Sequence, residues 1–97
     1  MPHANLRNAD LSGTRLLNAF LRDANLRGAI LLYAVLRDAY LWYADLTRAN
    51  LYDANLRDVD LYGAELSGAE LNGVKANSRT IYPNGKKWGT TGNNCGF

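Results

Sequence analysis

The chain has 97 residues, with 11 Lys plus Arg against 9 Asp plus Glu and a formal net charge of +2. That near-balance argues against a protein built mainly to wrap nucleic acid, and equally against an acidic surface that imitates it. One Cys and one His exclude an intrachain disulfide framework and a protein-only zinc site, and leave a His-dependent catalytic triad only His3, beside the N-terminus.

The first residues, MPHANLRNADLSG, contain no apolar run that would serve a signal peptide. Nowhere does the chain approach the ~20 consecutive apolar residues that a membrane span needs. A cytoplasmic protein with no membrane partner is therefore expected, and the lone Cys95 agrees with a reducing compartment.

Repeats begin at residue 4. Leucine occupies every fifth position from Leu6 through Leu71, fourteen sites in all. Two residues before each leucine stands Ala in twelve cases, with Thr14 and Val59 as the exceptions. The unit is Ala-x-Leu-x-x, often with Asn or Asp between the Ala and the Leu, as in Ala4-Asn5-Leu6 and Ala54-Asn55-Leu56. On an α-helix, leucines five apart spiral around every face and form no apolar stripe. On a flat strand they alternate between faces. A coil that turns a corner once per five residues satisfies the pattern, because Ala and Leu, two apart on a short extended side, both point inward.

On these residues the chain resembles the pentapeptide-repeat family over positions 4 to about 73. The resemblance implies an all-β fold, a right-handed quadrilateral parallel β-helix with four pentapeptides per coil. Fourteen units would then make about three and a half coils, a rod of roughly 15–20 Å at the usual strand spacing. The interior would be filled by pairs such as Leu26 and Ala24, leaving no pocket, with the Thr14 hydroxyl bonded to a backbone carbonyl.

Residues 1–76 are read as the solenoid and 77–97 as a C-terminal cap with a flexible tail. Pro83-Asn84-Gly85 is a turn signal. Ile81 falls in the leucine register, and Ile81, Tyr82 and Trp88 are the apolar residues available to cover the last coil. Residues 92–97 are expected to be flexible, with Cys95 a free thiol on the tail. At the other end, only Met1, Pro2 and His3 precede the first unit. Either the chain continues beyond them, or the open coil stacks on a second copy.

With twenty residues per coil, positions differing by twenty share a column. The outward site before the leucine is usually Asn, Asp or Glu, but is apolar at Phe20, Ile30, Val35 and Tyr40. Leu17, Leu32, Trp42, Tyr52 and Tyr62 follow their leucines directly, and Tyr33 and Tyr43 stand at turns. Leu17, Phe20, Ile30, Leu32, Tyr33, Val35, Tyr40, Trp42 and Tyr43 form the candidate protein interface, since exposed apolar groups in such number mark contacts. Aromatic ladders that merely stabilise the coil are the competing account, and the one preferred for Trp42, Tyr52 and Tyr62. Arg7 and Arg27 share one column and Arg37 and Arg57 another, which reads as a solvated face.

The function expected from these features is a non-catalytic protein–protein interaction or scaffold module, partnered by itself as a homodimer or by another protein. No cofactor, metal, nucleic acid or small-molecule substrate is expected. Proteins with this resemblance are common in bacteria, especially cyanobacteria. The alternative that the resemblance raises is DNA mimicry with protection of DNA gyrase. That activity rests on a long, strongly acidic rod, from which this chain departs in both length and charge.

Overall fold

The computed structural model describes residues 3–83; the expected turn at Asn84-Gly85, Trp88, Cys95 and the tail lie outside the described residues. Every five residues the backbone makes one short parallel bridge to the residue twenty positions later, from Asn5–Asn25 through Asn55–Lys75. Four five-residue sides therefore stack on the four sides of the next turn. Sides are numbered one to four below, beginning with residues 4–8, 9–13, 14–18 and 19–23.

Four backbone hydrogen bonds recur along the coils. The corner residue's N–H donates to the following coil, as from Gly28 to the Thr47 carbonyl at 2.9 Å. The leucine N–H donates to the following coil, as from Leu26 to the Asp45 carbonyl at 2.8 Å. The residue before the leucine donates to the preceding coil, as from Asn25 to the Ala4 carbonyl at 2.8 Å. The next unit's Ala then donates back across the corner, as from Ala29 to the Leu26 carbonyl at 3.0 Å. A further bond, to a side chain, is local to the consensus. The outward Asn or Asp before the leucine accepts the N–H two residues later, as Asn25 does from Arg27 at 3.2 Å and Asn50 from Tyr52 at 3.1 Å. This bond explains the preference for Asn or Asp at a site that points to solvent.

The last residue of each unit turns the corner in the left-handed region, with φ between 55° and 74°. Asn, Asp and Gly hold most of these corners, as sterics require.

Inside, the nine leucines from Leu21 to Leu61 are about 1% exposed, with Ala24 to Ala54 and Val59 between them. Leu6, Leu11, Leu16, Leu66 and Leu71 are only partly buried. A leucine is sealed only when a coil covers it on both sides, so burial is graded along the axis even though the sequence repeat is uniform.

The end of the described chain departs from strict periodicity. Asp60 bridges Ile81, an offset of twenty-one. One added residue moves the corner turn to the Thr80 N–H and Asn77 carbonyl, 3.0 Å apart. Ile81 therefore does not continue the leucine register: it lies half-buried at the bridge position, and Tyr82, fully buried, fills the leucine site. Thr80 takes the Ala site, and its hydroxyl donates to the Leu56 carbonyl at 2.8 Å. The bond expected of Thr14 is thus made by Thr80 instead. Thr14 lies in the partly exposed first coil, where its hydroxyl is not forced to find a protein partner. Asn77 holds the longer corner by donating its amide to Asp58 at 3.0 Å and accepting the Asp58 N–H at 3.1 Å.

Graded burial makes a prediction. Leu36→Ala should cost ~2–5 kcal/mol in urea unfolding, and Leu11→Ala roughly half of that or less. Equal losses would contradict an interior sealed only in the middle.

Candidate functional site

The candidate residues separate into three sets. Phe20, Tyr40, Trp42 and Tyr43 lie on the fourth side, together with Tyr62. Ile30, Leu32 and Tyr33 lie on the second side beside Tyr52, and Leu17 and Val35 on the third. On a four-sided coil the second and fourth sides face opposite ways, so these residues do not make one continuous patch.

The fourth side carries the denser cluster. The Phe20 and Tyr40 rings stack with centroids 5.0 Å apart and 19° between planes. Tyr40 meets Trp42 edge to face at 5.8 Å, and Tyr43 meets Tyr62 likewise at 5.7 Å. On the second side the ring contact is Tyr33 with Tyr52, at 6.0 Å. Such contacts contribute about 0.5–1.5 kcal/mol each, so the columns do stabilise the coil. Exposure remains high nonetheless: Phe20 is 55%, Tyr43 52% and Tyr40 40% exposed.

Local chemistry marks the apolar outward positions on all three sides. Phe20 and Tyr40 stand where Asn or Asp would accept the N–H two residues on, so Arg22 and Trp42 lack that acceptor. Ile30 and Val35 leave Leu32 and Arg37 in the same position. Each missing bond forgoes about 0.5–1.5 kcal/mol. The Trp42 indole N–H is shielded from solvent and has no protein acceptor. Tyr43 holds a left-handed corner at φ 58°, a conformation that sterically disfavours a bulky side chain. Its ring lies over Gly63, where a Cβ would collide with it.

Tyr33 and Arg48 also place large side chains at left-handed corners, at φ 58° and 59°. Arg48 is the residue that the column reading missed. It borders a shallow, open groove of about 70 Å³ lined by Arg7, Asn8, Arg27, Gly28, Thr47 and Arg48. The signal was present, since Arg48 stands in the column of Asn8 and Gly28, but only the fold brings that corner beside Arg7 and Arg27. Within the groove, Arg27 contacts the Asp45 carboxylate at 3.2 Å. The Thr47 hydroxyl, donating to Asp45 at 2.5 Å, is the main cause that holds the Asp45 carboxyl below its usual value of 3.8, aided by the Thr47 N–H and Arg27 and opposed by partial burial.

Among the described residues no group of three or more His, Cys, Asp or Glu could hold a metal ion, and no helix is long and apolar enough to cross a membrane.

Two outcomes follow. Gly63→Ala should lower stability by about 1–3 kcal/mol through its positive φ and the Tyr43 collision. Adding Tyr43→Ser should recover the collision part in thermal unfolding, leaving the φ part. A depressed folded-state pKa contributes stability above the ordinary carboxylate pKa, lost as pH falls through the depressed value. The stability difference between the parent chain and Asp45→Asn should therefore be flat above about pH 5 and narrow as the pH falls below the ordinary carboxylate pKa. Because Asp45 is a third exposed, that difference should stay below about 1 kcal/mol.

Comparison with known proteins agrees with this geometry. The chain is 36% identical to the pentapeptide repeat protein HetL of the cyanobacterium Nostoc sp. strain PCC 7120, which is involved in heterocyst differentiation regulation, over 89% of this chain and 41% of that one, with a TM-score of 0.51. A pentapeptide repeat protein of the Arabidopsis thaliana thylakoid lumen is 30% identical over 79% of this chain and 57% of its own, with a TM-score of 0.69. Rfr23 of the cyanobacterium Cyanothece 51142 is 37% identical over 84% and 58%, with a TM-score of 0.50. The chain thus spans less than two thirds of the length of these solved relatives. No curated protein sequence matches it. Pentapeptide repeats, in 8 copies, match residues 4–42 and 34–73, and the solved family members form right-handed quadrilateral β-helices. The chain belongs to the pentapeptide-repeat family.

Proposed function

We propose that this chain is a non-catalytic protein–protein interaction module that self-associates through its fourth side and the adjoining first coil. The observation that carries the reading is the Phe20–Tyr40–Trp42 cluster. Phe20 and Tyr40 remain exposed while giving up the Asn/Asp hydrogen bonds available at their positions, and the Trp42 indole N–H beside them is left without an acceptor. A surface selected only for stability would take Asn or Asp at positions 20 and 40, as Asp60 does in the same column by accepting the Tyr62 N–H at 3.1 Å. Rigid aromatic side chains on a preorganised scaffold lose little entropy on contact, which suits them to recognition.

A second feature supports a partner of the same kind. The first coil leaves Leu6, Leu11 and Leu16 partly exposed, next to Phe20 at its end. An apolar coil end contiguous with an aromatic side offers one surface that a second copy can cover. The second side, with Ile30, Leu32 and Tyr33, faces away and is left out of this contact.

Light scattering on a size-exclusion column tests the reading. The parent chain should run at twice its 10.7 kDa mass, with or without reductant. Phe20→Asp with Tyr40→Asp should run at the chain mass while keeping the parent's circular dichroism, with stability lower by no more than about 1–2 kcal/mol from the lost ring contact. A parent that is monomeric at high concentration sinks the proposal. So does a double variant that unfolds while the single Val35→Asn remains folded, since that marks the stack as a structural ladder. A dimer lost on reduction would assign association to Cys95 rather than to the aromatic side.

A further inference from the structure

Charge is unevenly shared among the four sides. Arginine stands on the first side at Arg7 and Arg27, on the third at Arg15, Arg37 and Arg57, and on the fourth at Arg22. The second side, residues 9–13, 29–33, 49–53 and 69–73, has no Lys or Arg and three acids, Asp10, Asp53 and Glu70. Arg48 stands at the corner that leads into this side, with its side chain over Gly68 on the same corner. Asp23, Asp45 and Asp58 on the other sides each meet an arginine. The three acids of the second side make no ion pair among the described residues.

Those carboxylates frame an apolar surface. Ile30, Tyr33 and Tyr52 are 37%, 59% and 42% exposed, and Leu32 beside them is half-buried. Bridges set Asp10, Ile30, Asn50 and Glu70 in one column. Gly13 leaves the corner beneath Tyr33 bare. Two of these residues depart from what the coil itself favours. Ile30 gives up the acceptor that Asn50, one coil on, supplies to the Tyr52 N–H at 3.1 Å. Tyr33 holds a left-handed corner at φ 58°, where Asn, Asp or Gly carries less strain.

Size and charge select the occupant. The apolar part is two coils tall and three extended residues wide, about 10 Å each way. A standard protein interface covers about 800 Å² per partner, so the footprint matches a short segment rather than a globular face. A second copy docked here face to face would set three carboxylates against three, and like charges repel. A cationic segment is attracted instead, and a guanidinium also stacks on tyrosine rings. Asp10 and Glu70 are three coils apart in their column, about 14 Å at the strand spacing, which is the span from a residue to the fourth one beyond it in an extended chain. In such a chain every second side chain faces the same way. An apolar residue with a cation two positions to each side therefore meets the apolar surface and both carboxylates together.

We propose that the second side is a docking surface for a short basic segment of another protein. The segment lies extended along the solenoid axis, its apolar side chain against Ile30 and Leu32 and its cations at Asp10 and Glu70. This contact is separate from self-association through the fourth side, so each copy in a dimer offers one such surface.

The probe is a blocked Arg-Ser-Leu-Ser-Arg peptide, titrated into the full chain at low salt and followed by heteronuclear NMR, with Glu-Ser-Leu-Ser-Glu as the control. Saturable shifts are expected at the amides of Leu32, Tyr33 and Tyr52, with a dissociation constant on the order of 1 mM that rises with salt. The control peptide should give none. Asp10→Asn with Glu70→Gln keeps acceptors for the Ser12 and Asn72 N–H groups, and should weaken binding by about three- to tenfold. Ile30→Asn restores the consensus acceptor, so the coil should stay folded while binding weakens by roughly tenfold. The Phe20→Asp/Tyr40→Asp chain should bind like the parent, so failure of this contact and failure of self-association are read separately. Equal binding of the two peptides, no saturable shift, or binding that Ile30→Asn leaves unaltered overturns the proposal. Two other results overturn it by giving the face another occupant. A dimeric parent whose Ile30→Asn variant runs at the chain mass assigns the face to a second copy. Peptide binding to a Lys86→Glu/Lys87→Glu chain but not to the parent assigns it to the chain's own basic residues.

Discussion

The structure depends on one constraint. A backbone that turns a leucine inward every fifth residue cannot close its hydrogen bonds within its own segment, so it closes them against a segment twenty residues away. From Leu6 to Leu61 each leucine N–H reaches the following coil, and from Asn25 to Lys75 each residue at the bridge position donates to the coil before, at 2.7–3.1 Å. Apolar burial and backbone pairing are therefore satisfied by the same stacking, and neither can form without the other. A single twenty-residue turn has no interior. The core appears only when coils stack, which is why burial is complete from Leu21 to Leu61 and incomplete on both sides of that run.

Corners are the second consequence. Four turns per coil need a left-handed residue at each, and the side chain of that residue leans onto the corner of the next coil. Asn8 lies over Gly28, Tyr43 over Gly63, Arg48 over Gly68 and Asp53 over Gly73. A large corner side chain is accommodated where the next corner is glycine. This coupling lets the chain place Tyr43 and Arg48 where the repeat alone would favour Asn or Asp, and it ties each to a glycine elsewhere in the sequence.

The outward positions follow a local rule with meaningful breaches. Asn and Asp before the leucines accept the N–H two residues on, and the chain keeps that arrangement at Asn5, Asp10, Asn25, Asp45, Asn50, Asn55 and Asp60. Phe20, Ile30, Val35 and Tyr40 break it. Because the interior is uniform, the solenoid tolerates such changes without altering its path, and its outer columns are free to be assigned to recognition. Two of these breaches, Phe20 and Tyr40, stack on one another on the fourth side.

Much of this was legible in the residues themselves. The spacing of Leu and Ala is a covalent property of the chain, and only a coil with five-residue sides turns every one of them inward, so the coiled architecture and the core follow by counting, and the columns follow once the family resemblance supplies four sides per coil. Phe20 beneath Tyr40, and Tyr33 beside Tyr52, are consequences of that count. Counting failed where geometry is not periodic. The extra residue between Ala76 and Thr80 shifts Tyr82 rather than Ile81 into the core, because the corner is set by the Asn77–Asp58 hydrogen bonds and not by position number. The apolar residues divide between opposite sides because a side chain's direction depends on which of the four sides bears it. Periodic burial is written in the order of residues, whereas the meeting of side chains across coils is decided by the tertiary path.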